Sequence, residues 1–147
     1  MDKRKLKLEL IRQAEEKFRD VEKQLNELSN SLTKETKSTS GDKHETGRAM
    51  VHLEMEKLEN QYVNWQKLTG IASQLEDKEH SKAQAGSLIQ ASNGWFYLSI
   101  GFGQIKFENE VIFCLAPNAP MAQQFLGLSK NEEFSFNGRT FKILSVS

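Results

Sequence analysis

Two carboxylates three positions apart, Asp42 and Glu45, carry the clearest chemical potential in this 147-residue sequence. That spacing sets both on one side of the first turn of a helix. Two readings are open, and they can coexist. Asp-x-x-Glu is a capping box, with Asp42 accepting from the helix amides and Glu45 reaching back to the amide of Asp42. The same pair is also half of a hard-cation site, because Mg²⁺ takes oxygen ligands and is commonly held by one or two carboxylates together with water and a partner's oxygens. Two acids do not hold it tightly, so such a pair works only inside another molecule's acidic, metal-bearing centre. Other chemistry is poorly supported. Gly101–Phe102–Gly103 is a lone GxG in β-rich sequence and reads as a strand end. His44, His52 and His80 are too widely spaced to share a metal. Cys114, the single cysteine, lies in an apolar run and reads as a packing residue, which excludes an internal disulfide framework and a cysteine zinc site.

Twenty basic side chains balance twenty acidic ones, so the chain as a whole exerts no bulk pull on nucleic acid or membrane. No apolar run approaches the roughly 20 residues of a membrane span. The opening MDKRKLKLELIR has no hydrophobic region of a secretory signal, so a cytoplasmic protein that does not engage membranes is expected.

The elements that must position Asp42 and Glu45 follow from a composition break near Gly86. Residues 1–85 hold 16 basic and 16 acidic side chains and no proline, whereas residues 86–147 hold both prolines and eight of the nine phenylalanines. In the first part, apolar residues step by three and four: Ile11, Ala14, Phe18, Val21, Leu25, Leu28, Leu32. A second stripe runs Val51, Met55, Leu58, Tyr62, Trp65, Thr69, Ala72. Each marks one face of a helix. Pairing them head to tail (Ile11 with Thr69, Ala14 with Trp65, Phe18 with Tyr62, Val21 with Leu58, Leu25 with Met55, Leu28 with Val51) gives residue numbers that sum to 79 or 80 every time. That constancy predicts an antiparallel helical hairpin folding back within Ser38–Thr39–Ser40–Gly41, with arms of about 40–50 Å at 1.5 Å per residue. Neither helix has a second continuous apolar face, so an extended coiled-coil hairpin is expected over residues 1–80, with its tip at 36–46.

Residues 81–147 read as a small antiparallel sheet with one helix packed on it, making the chain α+β. Strands are expected at 87–92, 95–100, 104–107, 111–115, 133–136 and 140–146. Ser92–Asn93–Gly94 and Asn137–Gly138 supply hairpin turns. PMAQQFLG, residues 120–127, is the helix, opened by Pro120 and closed by Gly127. The expected core is Trp95, Tyr97, Phe113, Leu115, Phe125, Leu126, Phe134 and Phe141.

Gly41–Asp42–Lys43–His44–Glu45–Thr46 resembles the GD-x-x-EN signature at the coiled-coil tip of the Gre-type transcript cleavage factors of bacterial RNA polymerase. Ala119–Phe134 resembles that family's SP-x-x-x-x-LLG-x-x-x-GDE pattern: Pro120, Leu126, Gly127 and Glu133 fall on its positions, and Glu132 stands for its other acid. Gly86–Ser87 is similar to the GS that opens the family's second lobe. The resemblance implies an FKBP-like C-terminal domain at 81–147 that docks on polymerase, with Pro120, Met121, Leu126 and Gly127 as the partner-binding residues. It also implies a hairpin that enters the secondary channel to meet the nascent RNA 3′ end. There Asp42 and Glu45 would assist catalysis and hold Mg²⁺ shared with the polymerase, stimulating cleavage of backtracked RNA. The chain would be a monomer and not itself an enzyme. The chain departs from the family at Thr46, Gly47, Arg48 and Ala49, where the family has Asn and then AEY, and Lys43, His44 and Arg48 add cations. A channel-occupying inhibitor without cleavage stimulation is therefore an alternative, as is a coiled-coil adaptor unrelated to transcription. Asn131 replaces a turn glycine whose left-handed conformation Asn tolerates. The cluster Lys3, Arg4, Lys5, Lys7 and Arg12 reads as a solvated helix start, or as a contact for polymerase or nucleic acid.

Overall fold

The computed structural model describes residues 1–36 and 43–147, with the side chains of residues 35, 36 and 43–46 outside the description. Of the expected tip at 36–46, residues 37–42, Asp42 included, lie outside the described residues. The chain divides into two compact units, one of residues Met1–Arg12 with Gly70–Ser147 and one of Gln13–Thr69. Two long helices, α1 (Lys3–Thr36) and α2 (Lys43–Ser73), contribute to both units.

Within Gln13–Thr69, each residue of the two expected stripes is at least half-buried, and most of the residues between them are exposed. Ala14, Val21 and Leu58 are buried. Phe18 and Tyr62, the pair whose numbers sum to 80, touch with ring centroids 4.5 Å apart and planes tilted by 32°. Burial along one narrow seam is what two amphipathic helices achieve without a third layer. Away from the seam the helices are held locally, as by Arg19 with Glu15 one turn earlier at 3.8 Å.

In the other unit, α1 begins with Asp2 as its cap: its Oδ1 accepts from the amides of Arg4 and Lys5 at 3.0 and 3.2 Å. Arg4, Lys5 and Arg12 of the basic cluster are exposed, as a solvated helix start requires, but Lys3 and Lys7 are not. Lys3 is buried and its Nζ donates to the carbonyl of Lys78, Lys7 Nζ donates to the carbonyl of Leu75 at 2.7 Å, and Arg4 lies 3.9 Å from Asp77. Two cations thus satisfy carbonyls just beyond the end of α2, where the partial negative charge of a helix C-terminus lies. Residue numbers in these contacts run in opposite directions and sum to 81 or 82. Leu6 and Leu10, outside the expected stripe, are fully buried as well.

Six strands follow: β1 (Leu88–Ala91), β2 (Gly94–Leu98), β3 (Gly103–Phe107), β4 (Glu110–Leu115), β5 (Glu133–Phe136) and β6 (Arg139–Val146), with α3 (Pro120–Phe125) between β4 and β5. They form one sheet in the order β3-β4-β2-β1-β6-β5. The sheet is mixed, which corrects the expectation of a purely antiparallel one: β2 and β4 pair in parallel, Trp95 opposite Ile112 through Leu98 opposite Leu115. The cause is local. Beyond Leu98 the chain crosses to the sheet edge, lays down β3, and returns through a two-residue turn at Glu108–Asn109, whose φ values of 51° and 64° are left-handed. The return strand β4 then fits between β3 and β2.

Strand alternation makes two buried faces. One carries Ile89, Ala91, Phe96, Leu98, Phe141 and Ile143, closed by Ala122 and Phe125 of α3. Phe134 and Phe141 stack at 4.9 Å with nearly coplanar rings, and Phe125 meets Phe134 edge-on at 4.7 Å. The other face carries Leu88, Tyr97, Ile105, Ile112 and Cys114, all at most 3% exposed, and the same compact unit holds the fully buried helical side chains Leu6, Leu10 and Ala72. The expected core needs correcting for this reason. Trp95 is half-buried and Tyr97 belongs to the second face, whereas Phe96 between them is the centre of the aromatic cluster. Phe113, Leu115, Leu126 and Phe134 pack at its margin.

Candidate functional site

Of the two tip acids, Asp42 lies outside the described residues, and Glu45 lies on the first turn of α2 with its side chain outside the description. Among the described residues no three His, Cys, Asp or Glu side chains gather as a metal site. None of the described helices is long and apolar enough to cross a membrane.

The residues expected to dock on a partner surround α3. Pro120 occupies its first turn after Ala119, which is extended at φ −65° and ψ 146° and offers no side-chain cap. Gln123, inside the helix, donates its Nε2 to the carbonyl of Pro117 at 2.7 Å and so tethers the preceding loop to α3. At the other end Gly127 has φ 83°, a left-handed value that stops a helix. Its amide donates to Ala83 and the Ala83 amide donates to Leu128, both at 2.8 Å, which ties the end of α3 to the segment before β1. Pro120 and Gly127 are exposed, Met121 and Leu126 half-buried.

Beside α3 a groove of about 470 Å³ is lined by Asn93, Phe96, Phe113, Met121, Phe136, Asn137, Arg139 and Phe141. Its floor is aromatic, and its rim is made of the β1–β2 and β5–β6 hairpin turns, where Asn137 and Gly138 take φ 51° and 76°. Of the four expected docking residues the structure brings Met121 to this groove, while Pro120, Leu126 and Gly127 are not part of its lining. Arg139 and Phe136 escaped the sequence reading. The signal for both was the Asn137–Gly138 turn, since residues flanking a two-residue turn sit at the rim of whatever face the hairpin overhangs. Nearby, Asn131 has φ 76°, so the Asn in place of a turn glycine keeps the left-handed conformation.

The Gly86–Ser87 pair opens the sheet in a buried position. Gly86 has φ 91°, and its amide donates to the carbonyl of Leu98 at 2.7 Å. Ser87 is fully buried; its Oγ accepts from the amide of Gln84 at 3.0 Å and lies 2.8 Å from Nδ1 of His80. His80 is itself buried, and burial first, then the positive charge of Lys3, holds its pKa below the ordinary histidine value. Burial likewise pushes the Cys114 thiol up to about 12, leaving it protonated and inert at neutral pH.

No family model, no curated protein and no solved structure matches this chain.

Proposed function

We propose that this chain is a Gre-type elongation regulator that binds bacterial RNA polymerase, inserts its helical hairpin into the secondary channel and stimulates cleavage of backtracked RNA. The observation that carries the reading is the Phe18–Tyr62 contact: it lies on the one register that centres the hairpin on the segment bearing Asp42, with Glu45 three residues on. A long, thinly packed pair of helices, with Asp42 and Glu45 expected from the sequence at its turn, suits a probe that must reach a recessed centre. In this reading Asp42 and Glu45 would hold Mg²⁺ together with oxygens of the polymerase, and the cation would supply Lewis-acid assistance to phosphodiester hydrolysis. The chain is then an inducer of the polymerase's own nuclease chemistry and acts in the cytoplasm as a monomer. The C-terminal part is read as FKBP-like, a reading supported by the short helix α3 packed on an aromatic face of the sheet. The exposed Pro120 and the half-buried Met121 and Leu126 suit a docking role, with Gly127 setting the chain's exit from α3.

The test is a cleavage assay on purified, backtracked elongation complexes at fixed Mg²⁺. Shortened RNA 3′ ends should appear with the wild-type chain and vanish with Asp42→Ala/Glu45→Ala, while polymerase binding persists. Cleavage unchanged by the double substitution rejects the role of the acids. The departures at Thr46–Ala49, with Lys43, His44 and Arg48 adding positive charge, favour a second reading in which the hairpin blocks the channel. It predicts slowed nucleotide addition with no shortened products. Failure to bind polymerase at all returns the hairpin to an adaptor role.

A further inference from the structure

His80 is one of three histidines, and its ring is enclosed by groups from three parts of the fold. Lys3 approaches from α1, Glu76, Lys78 and Glu79 lie on its own connecting segment, and Ser87 stands at the start of the sheet. Nδ1 is 2.8 Å from the Ser87 hydroxyl oxygen. Nε2 is buried with no hydrogen-bond partner, its nearest acid being Glu76 at 4.0 Å. The hydrogen bonds choose the protonation state. Ser87 Oγ already accepts the Gln84 amide, and its own proton needs an acceptor in a site with no solvent exposure. A neutral ring with its proton on Nε2 provides that acceptor at Nδ1. The opposite tautomer leaves the serine proton and the Nε2 lone pair both unmet.

Adding a second proton therefore has a defined consequence. Nδ1 becomes a donor, the Ser87 hydroxyl proton loses its acceptor, and a buried cation is created beside Lys3 and Lys78, opposed by the charges of Glu76 and Glu79. The backbone lies close to the ring on the Gly86 side: a Cβ there would lie 3.5 Å from His80 Cε1 and 3.3 Å from the Glu76 carbonyl oxygen.

We propose that His80 and Ser87 form a proton-operated latch that fastens the segment joining α2 to β1 onto the sheet at neutral pH and releases it on acidification. The latch is independent of any reading of what the hairpin binds. Its sign is fixed by the environment: the latched state prefers the neutral ring, so the stability it adds is present above the ordinary histidine value near ~6.5 and is lost as pH falls below it.

The test is hydrogen exchange at the amides of Gln84, Gly86 and Ser87, corrected for intrinsic rate, between about pH 7.5 and about pH 5.5. In the wild-type chain protection at these three should fall by about tenfold or more, one pKa unit of coupling, while protection elsewhere in the sheet is kept. In His80→Gln, whose amide does not titrate, protection should be the same at both ends of the range. A ring titration of the wild-type chain by NMR serves as the second measurement and needs no variant: His80 should titrate below the ordinary histidine value, in step with the amide opening. Protection that does not change with pH, equal loss in His80→Gln, or a ring that titrates at or above the ordinary value each overturns the latch.

Discussion

Glycines separate structural need from accident most clearly at the scale of single residues. Gly86 is held at φ 91° with a carbonyl 3.3 Å from where a Cβ would sit, so both conformation and space exclude a side chain. Gly70 lies in α2 with nothing within 4 Å of the same position and is exposed. The two substitutions should act oppositely. Gly86→Ala should destabilise the chain by about 1–3 kcal/mol, and Gly70→Ala should stabilise it by about 1 kcal/mol through helix propensity. Urea unfolding of the two variants beside the wild type measures both. The same logic explains why Asp42 and Glu45 stood out from spacing while His80 did not. A helix cap or a carboxylate pair is written in local sequence, whereas the burial of His80 depends on Lys3 and Ser87 arriving from elsewhere in the chain.

For the helices and strands, periodicity was a good guide wherever one face of an element is buried. The stripes of α1 and α2 were read with their pairing register, and Phe18 against Tyr62 is the contact that realises it. A double-mutant cycle on Phe18→Ala and Tyr62→Ala should give a coupling of about 0.5–1.5 kcal/mol, the usual strength of an aromatic pair, and no coupling would place the register in error. The six strands and α3 were also legible to within a residue or two, because Asn137–Gly138 and Ser92–Asn93–Gly94 punctuate them. Two features were hidden. The parallel β2–β4 pairing depends on a turn at Glu108–Asn109 that lacks glycine and so carries little local signal. Tyr97 is buried as expected, but the choice of Trp95 over Phe96 failed because both sheet faces are buried, and alternation then no longer says which face holds the aromatic cluster.

For the molecule as a whole, the division of the chain does not follow the composition break. Residues 1–12 and 70–80 belong with the sheet, where Leu6, Leu10 and Ala72 are fully buried. A fragment of residues 81–147 should therefore expose the face of Leu88, Tyr97 and Ile112 and self-associate. A chain in which residues 13–69 are replaced by a short glycine-serine linker should stay monomeric and melt cooperatively. Light scattering and thermal circular dichroism on the two fragments decide the matter, and a soluble, cooperatively folded 81–147 fragment would refute the assignment. This arrangement also bears on synthesis. The first turns of α1, with Leu6 and Leu10, are synthesised before the helical excursion, and the strands of the same compact unit follow only after it. A nascent chain must keep Leu6 and Leu10 from other partners until the rest of that unit has been made. Charged Lys3, Arg4, Lys5 and Lys7 around them are well suited to do so before two of these cations become internal hydrogen-bond donors.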